Sequence, residues 1–291
     1  MLNFYLPDFF YLFRLNFYTI HYMKNNPKYF YDNIIVKAVY GAFPPSIWNG
    51  GRTMSFDFVE RSSIAATIKN FNDIGVALRY TFTNAWLKEE DVYDSYCNEC
   101  MKLADNGMNE VLVNSPVLEN YIREKYPRYK IISSTTKGIK SIDGLNRELE
   151  KYPIVVADYT LNNKKELFEI PNRDRCEILL NTNCADNCQH RQKHYNFLAK
   201  LQKQEETEPF RCPYERDHVL TLNMYDMMQV NKSFVTVEDL YGKYVPAGFK
   251  EFKIEGRKLN QYEVIEYYIY YLVKPEYKDK VRVDLMFAIS K

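Results

Sequence analysis

Glycine is scarce in this chain, with 10 residues in 291, roughly half the usual frequency. Each glycine at a loop is therefore read as a place where backbone geometry demands it. Neither GxGxxG nor GxxxxGK[ST] occurs, which removes the dinucleotide-binding and P-loop readings. HExxH and GxSxG are also missing, so no zinc-peptidase or serine-hydrolase motif is present. Net charge is almost nil: 39 Lys and Arg stand against 38 Asp and Glu, leaving +1. Nothing global draws the protein to nucleic acid or to an anionic membrane. The 6 cysteines are too few for a small disulfide scaffold.

The first eight residues, Met1 to Asp8, lack a basic n-region, and no small-residue cleavage site follows. The aromatic stretch 9–23 is broken by Arg14, Asn16 and His21, with Pro7 and Asp8 at its head. It is read as a helix packed on the body of the protein, not as a membrane span. A cytoplasmic, reducing location is expected, where clustered cysteines hold a metal or do redox chemistry.

What is present is an ordinary globular composition, 46% hydrophobic and 26% charged, which excludes a wholly disordered or fibrous chain. Tyr (26) and Phe (18) are abundant. Short runs rich in β-branched and aromatic residues recur at 2–6, 34–40, 76–82, 110–114, 130–134, 153–157, 176–181 and 249–254. Helical patterns separate most of them, at 9–23, 58–72, 89–106, 115–126, 139–151, 162–168 and 189–204, and one follows the last at 262–273. Eight buried strands alternating with helices predict a single (β/α)8 TIM-type barrel over residues 1–291, with a polar loop insertion at 203–217 before the last strand.

In such a barrel chemistry gathers where strands end. Those positions hold Asn84, Asn114, Asp158, Asn181 and Glu255-Gly256-Arg257. The densest constellation is Asn181-Thr182-Asn183-Cys184-Ala185-Asp186-Asn187-Cys188-Gln189-His190-Arg191, followed by His194 and Tyr195. Cys184 and Cys188 stand where a turn enters a helix, a place that favours thiolate and lets two sulfurs reach one metal. Cys212, in the insertion, is a candidate third ligand, and Cys176, opening the seventh strand, a fourth. Thiolates gathered from separate segments suit an iron–sulfur cluster. A Cys3His zinc site drawing on His190, His194 or His218 is the alternative, and free thiols near a loop are the plain reading. Cys97 and Cys100 form a CxxC inside a helical pattern and are read as core or surface thiols.

Taken together, Tyr40-Gly41, Gly51-Arg52, Asn84, Asn114-Ser115-Pro116, Leu180-Asn181 with Cys184, Cys188, Arg191, His194 and Tyr195, and Lys253-Ile254-Glu255-Gly256-Arg257 resemble the collagenase-like peptidase family (peptidase family U, number thirty-two). The branch with oxygen-independent ubiquinone-biosynthesis hydroxylases is the most similar. The resemblance implies a barrel and a [4Fe-4S] cluster on Cys184, Cys188, Cys212 and Cys176. It implies oxygen-independent hydroxylation or a related modification of a tRNA base, quinone or similar substrate. Glu255, Arg257, Asn181 and His194 would be catalytic, and Asn84, Asn114, Asp158, Tyr195 and Arg191 would bind substrate. A peptidase, or a non-catalytic barrel with structural zinc, are the alternatives. Small-molecule, RNA or peptide substrates are all open, and the many tyrosines leave room for a partner protein or a homo-oligomer.

Overall fold

In the structure, a computed structural model, residues 1–50, 56–206, 208, 210–213, 224–256 and 259–290 are described. Eight parallel strands close into a barrel in sequence order. They are β1 (Leu2–Pro7), β2 (Ile34–Gly41), β3 (Ala77–Phe82), β4 (Glu110–Val113), β5 (Lys130–Ser133), β6 (Val155–Val156), β7 (Cys176–Leu179) and β8 (Glu251–Lys253). β1 pairs with both β2 and β8, so no edge is left. Each strand coincides with a residue run read from the sequence, β1 and β2 running one residue further. Alternation along a strand sends one set of side chains inward and the other towards the helices.

The helices α1 (Phe13–Asn25), α2 (Arg61–Asp73), α3 (Ser95–Leu103), α4 (Pro116–Lys125) and α5 (Ile142–Lys151) follow β1 to β5. α4 starts as its sequence predicts: the Ser115 hydroxyl accepts from the Leu118 N–H, and Pro116 occupies the first turn, where no N–H is needed. α1 packs on the body of the protein through Leu15, Asn16, Thr19 and Ile20. Among the described residues, no helix is long and apolar enough to cross a membrane.

After β7 the pattern changes. The helix α6 (Arg191–Gln202) was expected as the crossover to β8, but it lies over the barrel's carboxyl end. Its buried residues Arg191, Tyr195, Ala199 and Gln202 form one stripe, polar at both ends. That stripe meets the loops of the opposite wall: Asn84 Nδ2 donates to the Ala199 carbonyl at 3.1 Å, and Gln202 Nε2 to the Pro45 carbonyl at 3.4 Å. Lys203 pairs with Asp91 at 2.7 Å, and the Lys200 ammonium lies 4.3 Å from the Trp86 ring centroid. The reason is chemical: a helix carrying Gln202, Lys200 and Lys203 is better satisfied by loop carbonyls, carboxylates and rings than by the apolar outer wall of the sheet.

The outer layer between β7 and β8 comes instead from α7 (Met224–Val230), α8 (Val237–Asp239), a π-turn over Leu240–Tyr244, and α9 (Val245–Ala247). Leu240 and Tyr244 are fully buried, and Tyr244 meets Phe168 and Phe249 at centroid distances of 4.8 and 5.2 Å. α10 (Gln261–Leu272) is opened by a capping box in which Asn260 and Glu263 bond each other's backbone N–H. It is covered in turn by α11 (Lys278–Ser290), which the sequence reading did not include.

The barrel interior departs from the aliphatic filling common in this architecture. Arg79 pairs with Glu110 at 2.7 Å and with Glu177, and its guanidinium carbon stands 3.6 Å from the Tyr5 ring centroid. Lys253 approaches Glu177 to 4.0 Å and lies 3.9 Å from the Tyr40 ring centroid. Tyr5 donates to Glu251, which also accepts from Asn3 at 2.9 Å. Cys97 and Cys100 are buried in the core, as read.

Candidate active site at the carboxyl end of the barrel

Two strand ends form the base of the site. Asn181, beyond β7, donates its amide to the Glu255 carbonyl at 2.8 Å and accepts the Glu255 N–H at 2.7 Å. This side chain extends the β7–β8 pairing past the last ladder residues and fixes the backbone that carries the buried Glu255 carboxylate. Tyr267, reaching in from α10, donates to Asn183 Oδ1 at 3.2 Å. Burial pushes its hydroxyl up to about 12, with the nearby Glu255 adding to the effect.

The loop carrying Cys184 and Cys188 is tied from three sides. The Tyr159 hydroxyl donates to the Ala185 carbonyl at 3.0 Å and accepts the Cys188 N–H at 2.9 Å. Asn231 Nδ2 donates to the carbonyls of Thr182 and Cys184, each at 3.1 Å. Ser233 donates to Asp186 at 2.8 Å. Held this way, Cys184 and Cys188 lie close enough for each to feel the other's charge. Burial pushes the Cys184 thiol up to about 11; Arg191 pulls it back, while Cys188 and Glu255 push it further. A neutral thiol is favoured there.

Arg191 opens α6 and is 8% exposed. Its guanidinium carbon lies 4.3 Å from the Tyr159 ring centroid and 5.2 Å from that of Tyr195. Burial alone would disfavour its charge, but Tyr195, Glu255 and Cys184 hold it above the ordinary arginine range. Its Nε and Nη2 are buried without a hydrogen-bond partner among the described residues, as are Asp158 Oδ2, Thr182 Oγ1 and Asn183 Nδ2. Each such orphan costs about 1–3 kcal/mol, so a cluster of them marks a place built to be filled.

The structure thus gathers Asn181, Glu255, Cys184, Cys188 and Arg191, with Tyr195 on the same stripe of α6. Asp158 uses Oδ1 to accept from the Thr160 N–H and hydroxyl, at 3.0 and 2.7 Å. Asn84 is a loop tie: its amide donates to Ile47 and Ala199, and its carbonyl accepts from the Trp86 N–H. Asn114 donates to Thr136 at 2.9 Å. His194 stacks on Phe210, centroids 4.7 Å apart at 13°, on the flank of α6 away from the buried stripe. Arg257 lies outside the described residues, as do Gly51, Arg52 and His218.

Cys176 leaves the proposed ligand set. It opens β7 and belongs to the apolar packing shared with Ile178 and Leu180, whereas Glu177 faces the interior. At about 3.3 Å per strand residue, the length of β7 separates it from the loop of Cys184. Cys212 is buried, and the stacking of Phe210 on His194 brings its segment back along α6. Among the described residues, however, no three His, Cys, Asp or Glu side chains converge to hold a metal ion. A [4Fe-4S] cluster commonly takes four protein thiolates and a Cys3His zinc site three, whereas the described residues bring Cys184 and Cys188 to one loop.

The sequence reading assigned no role to Tyr159 or Asn183, and did not single out Tyr267, Asn231 and Ser233. Tyr159 had a signal, since it follows Asp158 at a strand end. Tyr267 had none, because a tyrosine in an apolar helix reads as core.

The chain matches no protein-family profile and no curated protein. It is similar to the solved structure described as "The Structure of the U32 Peptidase Mk0906", with a TM-score of 0.51 and 14% sequence identity, covering 87% of this chain and 92% of that one. The likeness is one of fold. That neighbour carries the family designation that the sequence motifs resemble, and nothing in the likeness reaches the ubiquinone-hydroxylase branch.

Proposed function

We propose that this protein is an enzyme that works beneath α6 at the carboxyl end of its barrel, by acid–base hydrolysis of an amide bond in a peptide or similar substrate. The observation that carries the reading is Glu255: a buried carboxylate, held in place by Asn181 and set beside Arg191. Glu255 takes a proton from the attacking water and returns it to the leaving nitrogen, the usual task of a positioned carboxylate. Asn183 Nδ2, a buried donor without a partner among the described residues, suits the oxygen on which negative charge develops. The fold neighbour described as a peptidase supports this class by analogy of fold. A cytoplasmic location fits six free cysteines, and remains part of the proposal.

The test is incubation of the full chain with a defined peptide mixture, followed by mass spectrometry. Cleavage should fall by about 10²–10⁴-fold in Glu255→Gln. No cleavage by the wild type, or equal cleavage by the variant, rejects the reading.

The closeness of Cys184 and Cys188 on one tied loop favours a second reading, an iron–sulfur modification enzyme in which these two cysteines are ligands. Anaerobic purification with iron and acid-labile sulfide analysis decides it. Cys184→Ser and Cys188→Ser should bleach the absorption, and Cys97→Ser should not.

A further inference from the structure

We propose that Arg191 is a carboxylate receptor, so that ligands of this site carry a planar carboxylate taken up side-on by the Nε and Nη2 edge of its guanidinium. The inference takes its location from the reading above and adds a class of substrate.

Guanidinium groups offer two kinds of surface, the faces and the edges. Here the rings of Tyr159 and Tyr195 crowd the group, 4.3 and 5.2 Å from the guanidinium carbon. One edge is left without hydrogen bonds. The nitrogens without a hydrogen-bond partner, Nε and Nη2, are the two whose N–H bonds run parallel and form one fork. A fork of that shape matches the two oxygens of a carboxylate, and a lysine in its place would not.

The surroundings leave the fork open. Among the described residues no group hydrogen-bonds Nε or Nη2 of Arg191. Beside Glu255, a phosphate dianion meets more repulsion than a singly charged carboxylate does. Thr182 Oγ1 and Asn183 Nδ2, buried and without partners among the described residues, can bond further polar atoms of the same ligand.

The experiment is calorimetric titration of the full chain with N-acetylphenylalanine, its amide, benzoate and inorganic phosphate. The acid should bind at least tenfold more tightly than the amide. Benzoate binding as well as the acid would indicate carboxylates generally, and the acid alone would indicate a peptide carboxyl terminus. Arg191→Lys keeps the charge but loses the fork, and should weaken the acid tenfold or more without changing the amide. The comparison of acid and amide on the wild type stands even if that variant fails to fold. Equal affinity for acid and amide, binding of neither, or tighter binding of phosphate overturns the proposal. Glu255→Gln separates the two ideas. Lost turnover with acid selectivity retained supports both. Lost turnover without any acid selectivity in the wild type rejects the carboxylate receptor alone.

Discussion

Arg79 on β3 and Glu177 on β7 stand on opposite walls of the barrel and form an ion pair across its axis. Both are fully buried, and Arg79 also holds Glu110 at 2.7 Å. Removing one member of a buried pair strands the others, which costs about 3–5 kcal/mol. Arg79→Met should therefore lower the urea unfolding free energy by about that amount. Adding Glu110→Gln and Glu177→Gln to the same chain should restore much of the loss, since no bare carboxylate remains.

The same network sets an acid limit on stability. Burial raises the Glu110 pKa, but Arg79 and Lys130 outweigh it and hold the carboxyl below the ordinary value of 4.5. A depressed folded-state pKa stabilises the fold above the unfolded value, and that contribution fades as pH falls through the folded one. Thermal unfolding followed from pH 7 downward should show wild-type stability dropping once the pH passes below about 4.5. Glu110→Gln should start less stable at neutral pH and decline less steeply.

Asn181 bonds both backbone groups of Glu255. Asn181→Ala removes two buried hydrogen bonds, and should cost about 2–3 kcal/mol in urea denaturation. Asn181→Asp keeps the acceptor and loses the donor, so an intermediate loss is expected.

α6 is held over the mouth by Asn84, which donates to the Ala199 carbonyl at 3.1 Å. Asn84→Ala should speed hydrogen–deuterium exchange in α6 while leaving the strands protected. Equal acceleration in β3 and β7 would mean that the contact supports the whole barrel rather than the cover.

Much of this architecture was legible in the residue pattern alone. Short β-branched runs separated by helical periods specify parallel strands with crossovers, because each run must be buried on both faces. Asn181 and Glu255 could be named as strand-end residues, and Cys184 and Cys188 as residues of the loop that enters α6. Tertiary structure decided the rest. Whether Cys176 faces the helices or the interior turns on a register that shifts by a single residue, and only pairing with β6 settles it. Charged residues such as Arg79 and Glu177 look like solvated positions until the closed barrel brings them face to face. The place of α6 was equally hidden. A helix with a polar stripe finds its seat among whichever carbonyls and rings the fold presents, and those belong to loops more than a hundred residues away in the chain.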